Sequence, residues 1–312
     1  MKTRLAPSPT GAQHMGNART YLINWLFARQ QHAEVCLRIE DIDSPRVKQG
    51  AAAGILEDFQ WLGLDWDGTP TIQSQRIELY QDYFRQLQQK ELVYPCTCSR
   101  TDIAQAASAP HLENEGPVYP GTCQHRTVAD AKNLQQPFAW RFRVAHSPVV
   151  HDRFVGDYPS NISQVGGDFV VWKADGTPAY QLAVVVDDIT MNITDVVRGD
   201  DLLISTGRQL LLYEAFQSPP PRWYHVPLVI GPDGRRLAKR HGDTRLSALR
   251  AAQVSVEKFL GYLAWSCGWL PEINGISLID LLPRFSWHTI PRMAWICQPD
   301  DLAKIGYSAG VS

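Results

Sequence analysis

The sequence predicts an α/β fold, because strand and helix patterns alternate along much of the 312-residue chain. Residues 3–6 and 34–39 are predicted as short strands, and the segment between them repeats apolar residues at helical spacing. The continuous apolar runs at 182–186 and 225–230 are typical of buried parallel strands. Strands joined by helices in this order predict a parallel sheet with helices packed on its faces.

The remaining elements follow from the same spacing argument. Apolar residues at helical intervals predict helices at 46–62, 75–91, 205–217, 254–269 and 278–282. Strands are predicted at 140–144 and 169–173, and Asp175-Gly176 predicts a hairpin turn after the second of them. Both strands lie within residues 95–180, where the alternation of strands and helices is interrupted.

The composition is that of a packed globular protein, with 44% hydrophobic and 20% charged residues. No stretch approaches about 20 consecutive apolar residues, so no membrane-spanning helix is predicted. The N-terminus runs into the first strand without an apolar signal segment, which predicts a cytoplasmic location. Because the net charge is only −2, any surface for RNA must be a local patch, with residues 235–250 the leading candidate.

A turn that leads into a helix near the N-terminus has the features of a phosphate site. Pro7, Pro9 and Gly11 force an irregular turn, and the helical pattern begins at Gly16. A helix start presents unpaired amide groups and the positive end of the helix dipole, which suit a triphosphate. His14 could donate to phosphate oxygens, and Gly16 would let a nucleotide approach the backbone. A sharp turn with a structural histidine would show the same short motif.

A second stretch, residues 231–242, is a glycine-bounded loop rich in basic side chains. Its basic residues are Arg235, Arg236, Lys239, Arg240 and His241. Such a loop can be a solvated charge run, or a mobile cationic clamp for the charge that builds on departing pyrophosphate. Composition alone does not choose between the two.

Five blocks of the chain occur in the order seen in one enzyme family. They are residues 4–17, 37–43, 180–188, 197–201 and 236–240. The first contains Pro7-Ser-Pro-Thr-Gly-x-x-His14-Met-Gly-Asn17 and is similar to the HIGH-type signature of class I aminoacyl-tRNA synthetases. The last, Arg236-Leu-Ala-Lys239-Arg240, is similar to their KMSKS-type loop. The wording of the blocks resembles the glutamyl branch of that family.

Some positions depart from the family signatures. Asn17 replaces the second histidine of the strict HIGH form, and Arg236, Ala238 and Arg240 depart from KMSKS. Lys239, the lysine that would contact phosphate, is present. The resemblance implies that His14 and Lys239 are catalytic. It also implies that ATP, with Mg²⁺, is bound by His14, Gly16, Asn17, Arg236 and Lys239.

The resemblance implies four regions in the chain. Residues 1–94 would form the first half of a Rossmann-like catalytic domain, and 181–242 its second half with the KMSKS-like loop. Residues 95–180 would be an inserted zinc-binding and acceptor-binding region. Residues 243–312 would be a small helical C-terminal domain.

A glutamate substrate can be argued from charge. Free glutamate carries two carboxylates and one ammonium group, so a selective pocket should offer two cations and one anion. Arg4, Arg198 and Glu40 supply that set, and arginine suits carboxylate through its planar fork. The predicted glutamate-binding residues are Arg4, Ala6, Ser8, Glu40, Tyr180 and Arg198. For an isolated arginine the alternative is a structural ion pair. We interpret Asp41, Asp43, Asp187 and Asp188 as turn and scaffold carboxylates.

Three cysteines, Cys96, Cys98 and Cys123, lie close together in the sequence and suit a tetrahedral zinc ion that needs a fourth ligand. By spacing, His111, Tyr119 and His125 are all candidates. The resemblance points to Tyr119, and a closed ligand set of this kind would make the Zn²⁺ structural. The alternative is three free thiols in an insertion. Three other cysteines are predicted to lie in the core: Cys36, Cys267 and Cys297.

The length of the chain bears on the acceptor. Ordinary bacterial glutamyl enzymes continue after the KMSKS-type loop into a much larger helical region that reads the anticodon, whereas only residues 243–312 follow it here. The chain therefore resembles a shorter branch whose members attach glutamate to queuosine in the anticodon loop of tRNA(Asp). The expected partners are L-glutamate, ATP and queuosine-containing tRNA(Asp), with no membrane and no protein partner inferred.

Three other functions share part of this pattern. A shortened glutamyl-tRNA synthetase would charge the 3′ end of tRNA(Glu). A cytidylyl- or adenylyltransferase could share the His-x-Gly motif, but it would not need the set Arg4, Glu40 and Arg198. A non-catalytic synthetase-like tRNA-binding protein would be expected to lose His14 or Lys239, and both are present.

Overall fold

Strands and helices alternate from the N-terminus in the computed structural model, which describes residues 1–42, 50–99, 101–103, 118–162, 164–235, 237, 243–298 and 300–307. The strands are β1 Lys2–Leu5, β2 Glu34–Ile39, β3 Thr71–Ile72, β4 Val93–Cys96, β5 Ala139–Phe142, β6 Val149–Asp152, β7 Gly156–Pro159, β8 Phe169–Trp172, β9 Asp195–Gly199, β10 Arg222–Val226, β11 Val229–Ile230 and β12 Trp295–Ile296. The α-helices are α1 Met15–Gln30, α2 Ala51–Leu62, α3 Ile77–Gln89, α4 Tyr180–Thr190, α5 Leu203–Ala215, α6 Leu246–Ala251, α7 Val256–Ser266, α8 Leu278–Leu281 and α9 Asp301–Lys304.

Parallel strands form the centre of the fold, as the sequence predicts. β1 pairs with β2 and β2 with β3, all parallel. β9 lies beside β1, where the Thr194 amide donates to the Lys2 carbonyl over 2.9 Å. β10 pairs in parallel with both β9 and β6, and β7 closes the edge in the antiparallel direction. The carboxyl ends of β1, β2, β9 and β10 therefore face one edge, which is where open α/β sheets bind ligands.

One prediction is wrong: residues 182–186 form the middle of helix α4, not a buried parallel strand. A short apolar run that is buried on all sides cannot be assigned by periodicity, because a buried helix and a buried strand look alike. The three valines favour a strand intrinsically, but tertiary packing overrides that preference. Helix α4 packs against α3, α5 and β8 and shares a hydrophobic core with them.

The other differences are local. The predicted strand at 225–230 is divided into β10 and β11, because Pro227 cannot donate a ladder hydrogen bond. The predicted turn at Asp175-Gly176 is confirmed: Gly176 has φ 83°, and the Lys173 amide donates to the Thr177 carbonyl over 2.8 Å. Helix α2 begins at Ala51, and the earlier part of its predicted range falls on residues 46–49, which are not described.

The region predicted as an insertion contributes to two sheets. β4, β5 and β8 form a separate antiparallel sheet, whereas β6 and β7 join the sheet that contains β9 and β10. Helices α6 to α8 follow the basic loop. Through Phe259, Leu260 and Leu263, α7 packs into the hydrophobic core that also contains residues of α1, which we call the first hydrophobic core. No helix in the described ranges is long and apolar enough to cross a membrane.

Candidate active site

A cavity of about 580 Å³ lies where the carboxyl ends of β1, β2 and β9 face the start of α1. It brings together nine of the residues predicted to bind ATP or glutamate. They are Arg4, Ala6, Ser8, His14, Gly16, Asn17, Glu40, Tyr180 and Arg198. The other two predicted residues, Arg236 and Lys239, lie outside the described residues. Side chains from distant parts of the sequence therefore meet in one cavity.

The start of α1 is organised by His14, which is its N-cap. The His14 Nδ1 accepts from the Gly16 amide over 3.1 Å, and the His14 amide donates to Asn17 Oδ1 over 3.1 Å. Since Nδ1 is an acceptor, the neutral ring carries its proton on Nε2 and remains a donor. A Cβ added at Gly16 would lie 3.0 Å from the His14 ring, so a larger residue there would require the ring to move by a few tenths of an ångström.

The segment that follows the basic loop is held against this helix start. The Met15 amide donates to the Thr244 carbonyl over 3.0 Å, and the Leu246 amide donates to the Gln13 carbonyl over 2.9 Å. Leu237, inside the loop, is buried in the first hydrophobic core. The first motif is thus joined by backbone hydrogen bonds to the segment that directly follows the basic loop, more than two hundred residues later.

The first predicted glutamate arginine, Arg4, has few protein partners. Its side chain is 5% exposed, and its Nε lies 3.5 Å from Asp188 Oδ1. Among the described residues it makes no side-chain hydrogen bond, and its buried Nε has none. Glu40, directly after β2, accepts from Arg38 Nη2 over 2.9 Å. Burial raises the pKa of Glu40, while Arg38 and Arg4 oppose that rise.

The second predicted glutamate arginine, Arg198, is held by neutral partners. Its Nε donates to His225 Nε2 over 3.0 Å, and its Nη2 donates to Thr206 Oγ1 and Gln209 Oε1 over 2.6 and 2.7 Å. Its buried Nη1 has no hydrogen-bond partner among the described residues. Burial, together with the charge of Arg4, lowers the pKa of Arg198. A carboxylate would satisfy the unpaired nitrogen and neutralise the charge.

Neutral groups complete the cavity wall. Tyr180, at the start of α4, is 38% exposed, and the Ser8 hydroxyl lies 3.0 Å from that of Thr10. Two groups that sequence reasoning missed hold the wall in place. Asn24 donates to the Arg4 carbonyl over 2.9 Å, and Gln13 donates to the Ser8 carbonyl over 3.1 Å. A polar residue within an otherwise apolar helix face, as Asn24 is, was the signal available for it.

A buried ion-pair network supports the cavity from below. Arg38 donates to Asp188 over 2.6 Å as well as to Glu40, and Arg76 donates to Asp187 over 2.8 Å. These contacts confirm the interpretation of Asp187 and Asp188 as scaffold carboxylates, although both lie in a helix and not in a turn. Arg38 itself was missed, and its signal was a charge inside an apolar strand. Asp41 accepts from Ser74, and Asp43 is outside the described residues.

The three predicted zinc cysteines also come together. The sulfur atoms of Cys96, Cys98 and Cys123 all lie within 4.8 Å of one another. The Tyr119 hydroxyl accepts from the Cys123 amide over 2.8 Å and lies 3.4 Å from Cys96 Sγ. Burial favours a higher pKa for the Cys123 thiol, but hydrogen bonds, the largest of them from the Thr97 backbone, lower this pKa to about 7. This set of soft sulfur donors fits a zinc ion.

The other two candidates for the fourth ligand differ from Tyr119. His125 is exposed and does not belong to the cysteine group, and His111 lies outside the described residues. The thiols of Cys36, Cys267 and Cys297 are buried away from this cluster, which confirms that they belong to the core.

The predicted RNA patch is engaged in part by the protein itself. Arg245 pairs with Asp243, and Arg250 pairs with Glu57 and Asp58 over 3.0 and 2.9 Å. The two Arg250 pairs join α6 to α2. Arg235 is exposed, whereas residues 238–242 lie outside the described ranges.

Comparison with known proteins identifies the family of the chain. The family model for the catalytic domain of class I tRNA synthetases (E and Q) matches residues 1–298. A glutamyl-Q tRNA(Asp) synthetase of Rhodopirellula baltica is 48% identical, with 94% of this chain and 93% of that protein covered. The enzyme of the same name from Symbiobacterium thermophilum is 44% identical, with 93% of each chain covered.

Longer proteins are similar over part of their length. A glutamate–tRNA ligase of Geobacter sulfurreducens is 39% identical and covers 97% of this chain, which spans 64% of that ligase. The crystal structure of a glutamate–tRNA ligase from Elizabethkingia meningosepticum, in complex with its amino acid, has a TM-score of 0.82 at 25% identity. It covers 98% of this chain, which covers 68% of that one. The chain belongs to the class I tRNA synthetases of the E and Q type and has their α/β catalytic fold.

Proposed function

We propose that this protein activates L-glutamate with ATP and Mg²⁺ and transfers the glutamyl group to queuosine in the anticodon loop of tRNA(Asp). The observation that carries the proposal is the single cavity that joins a histidine-capped helix start to two arginines with unpaired buried nitrogens. The two relatives with the highest identity reported above bear the name of that activity and are matched over nearly their full length. Since ATP and tRNA are cytoplasmic substrates, we place the reaction in the cytoplasm.

In this proposal the glutamate lies between the arginines and Glu40. Arg4 and Arg198 bind the two carboxylates, Glu40 binds the ammonium group, and Ser8 and Tyr180 add neutral hydrogen bonds. Each of these three protein charges then has an opposite charge on the substrate, which avoids an uncompensated ion in the closed site. Ala6 forms part of the wall of the same cavity.

The activation step is a displacement at phosphorus. An oxygen of the glutamate α-carboxylate attacks the α-phosphate of ATP, the bond to the β-phosphate breaks, and pyrophosphate leaves. His14, the α1 amides beside Gly16 and Asn17, and Lys239 stabilise the charge that develops, with Arg236 as a further phosphate contact. A hydroxyl of the acceptor then attacks the activated carbonyl, and AMP leaves.

We further propose that Cys96, Cys98, Tyr119 and Cys123 hold a structural Zn²⁺. The three sulfur atoms and the phenol oxygen form a compact donor set next to the antiparallel sheet. The ion would fix residues 95–180 as an acceptor-binding region between the catalytic halves 1–94 and 181–242, with 243–312 as a small helical domain. Such an ion would take no part in the chemistry, because four protein ligands leave no open position.

The acceptor is tested with labelled glutamate, ATP and purified tRNAs. We expect label on tRNA(Asp) that contains queuosine and none on the same tRNA without it. Label on queuosine-free tRNA(Asp) or at the 3′ end of tRNA(Glu) would contradict the proposal, and the second result would favour a glutamate–tRNA ligase. Glutamate-dependent pyrophosphate exchange in the absence of tRNA is also expected.

The role of the basic loop is tested by Lys239→Ala. We expect adenylate formation to fall by about 10²–10³-fold, because one stabilising donor to the transition state is lost, with glutamate binding nearly unchanged. Pyrophosphate exchange and equilibrium binding of glutamate separate the two effects. Lys258→Ala, an exposed lysine on α7, is the matched control. Equal loss of adenylate formation and of glutamate binding in Lys239→Ala would indicate a role in folding.

A further inference from the structure

We propose that Asp152 and His225 are positioning residues for glutamate: Asp152 keeps the His225 ring in one tautomer, and that ring fixes the guanidinium of Arg198. The inference deepens the proposed function and rests on Arg198 binding a substrate carboxylate. Neither residue lines the cavity, and neither belongs to the five sequence blocks.

The strand pairing brings His225 to Arg198. The two residues are register partners on β10 and β9. Arg198 Nε donates to His225 Nε2 over 3.0 Å, so the ring must present a lone pair at that nitrogen. Because a neutral imidazole has one protonated nitrogen, the proton lies on Nδ1. There it donates to Asp152 Oδ2 over 2.6 Å.

The Asp152 carboxylate is itself fixed by the backbone. Its Oδ1 accepts from the amides of Phe154 and Val155 over 2.8 and 2.7 Å. Oδ2 is thereby aimed at the His225 ring, whose side chain is completely buried. Burial lowers the pKa of His225 to about 4, with Arg198 acting in the same direction, so the ring is neutral at pH 7. A neutral ring is required, because an imidazolium would place a second cation against Arg198.

The arrangement leaves Arg198 one free direction. Nε is held by His225, and Nη2 by Thr206 and Gln209, so the guanidinium plane is set by hydrogen bonds at two of its three nitrogens. The unpaired Nη1 is the remaining donor. Without the acceptor at His225 Nε2 the fork could rotate, and a carboxylate would no longer find it in place.

Asp152→Asn tests the tautomer directly. The asparagine Oδ1 keeps the Phe154 and Val155 amides as donors, so its NH₂ group faces His225 Nδ1. That nitrogen must then accept, which moves the ring proton to Nε2 and turns it toward the Nε–H of Arg198. A similar substitution beside a catalytic histidine in serine proteases inverts the tautomer while it preserves the geometry.

We expect Asp152→Asn and His225→Leu to raise the KM for glutamate by about 10- to 100-fold, the cost of a buried charged donor left unpaired. The KM for ATP should stay within about threefold of the wild type, since the helix start is untouched. His225→Gln, which can still accept from Arg198, should recover most of the glutamate affinity. His151→Gln, an exposed histidine paired with Asp157 on the neighbouring strand, is the control and should behave as wild type.

The outcomes separate this inference from the proposed function. A wild-type protein without glutamate-dependent pyrophosphate exchange would overturn the proposed function. An active wild type whose Asp152→Asn and His225→Leu variants keep its glutamate KM would overturn the inference alone. A ¹⁵N spectrum of histidine-labelled wild type at pH 7 needs no variant to fold. We expect the proton of His225 on Nδ1, and a proton on Nε2 would refute the positioning role.

Discussion

The active-site cavity and the cysteine cluster both gather reactive side chains, but they do so over different distances along the chain. Arg4, Glu40 and Arg198 come from β1, the end of β2 and β9. All three have a partner in the protein, which is Asp188 for Arg4, Arg38 for Glu40 and His225 for Arg198. The cysteines come from one segment, and Cys98 Sγ and Cys123 Sγ lie 3.7 Å apart.

The difference shows two ways of preparing a binding site. Beneath the cavity, the buried charges of Arg38, Glu40 and Asp188 balance one another, so the fold itself orders this part of the site. In the cluster, three sulfur atoms lie within 4.8 Å of one another, a donor set that fits a zinc ion. Changes in the first region should therefore act on global stability, and changes in the second on metal content.

The largest effect is expected for Asp188→Ala, which leaves buried Arg4 without its carboxylate partner and removes the nearest of the three carboxylates around Arg38. We expect the free energy of unfolding to fall by about 3–5 kcal/mol, the cost of breaking a buried ion pair. Urea denaturation measures it. Asp157→Asn, in an exposed pair with His151, should cost less than about 1 kcal/mol. Similar losses in both variants would show that the buried network does not order the cavity.

A somewhat smaller effect is expected on acidification. His225, which faces Arg198, Arg4 and Asp152, has its pKa lowered from 6.5 to about 4 by burial. Between these values the unfolded chain binds a proton that the folded chain does not, so stability falls as pH falls. The contribution is about 3 kcal/mol across that window, at about 1.4 kcal/mol per pKa unit.

The sign is checked by urea unfolding of wild type and His225→Gln at pH 4.5 and pH 7. The variant should lose less stability than the wild type on acidification, because glutamine does not titrate. The hydrogen bond from His225 lowers the pKa of Asp152 despite its burial, so that carboxylate adds a further loss as the pH falls through its folded value. Equal pH dependence in both proteins would contradict the buried neutral histidine.

The smallest effect on global stability is expected for Cys98→Ser. Bound Zn²⁺ should fall from about one ion per chain to a small fraction of that, because a thiolate ligand is lost. Elemental analysis and the KM for glutamate are the measurements, and the KM should not change. The Cys36→Ser variant, which changes a thiol outside the cluster, should keep the zinc content of the wild type. If Cys98→Ser lost glutamate binding while Asp188→Ala kept its free energy of unfolding, the contrast between the cavity and the cysteine cluster would be reversed.

Much of the candidate site could be predicted because its residues lie in recognisable blocks. Arg4, Glu40 and Arg198 were chosen by charge and family wording, and the structure groups them; their ligand roles remain predictions. Asp152 and His225 could not be chosen in this way, because they lie outside these blocks. Arg38 lies inside one, but the charges of glutamate did not call for it, and the sequence gives no sign that Asp188 is its partner. Residues 182–186 were assigned wrongly, since burial on all sides removes the periodicity that separates helix from strand.

The backbone hydrogen bonds between the start of α1 and the segment after the basic loop have a consequence for synthesis on the ribosome. Helix α1 begins among the first residues made, but its hydrogen-bond partners are made much later. The Met15 amide donates to the Thr244 carbonyl, and buried Arg19 donates to Ser266 and Pro227. Contacts so distant in sequence form late and slow folding. The nucleotide end of the site can therefore be completed only when most of the chain has emerged, so a nascent fragment would not yet be able to activate an amino acid.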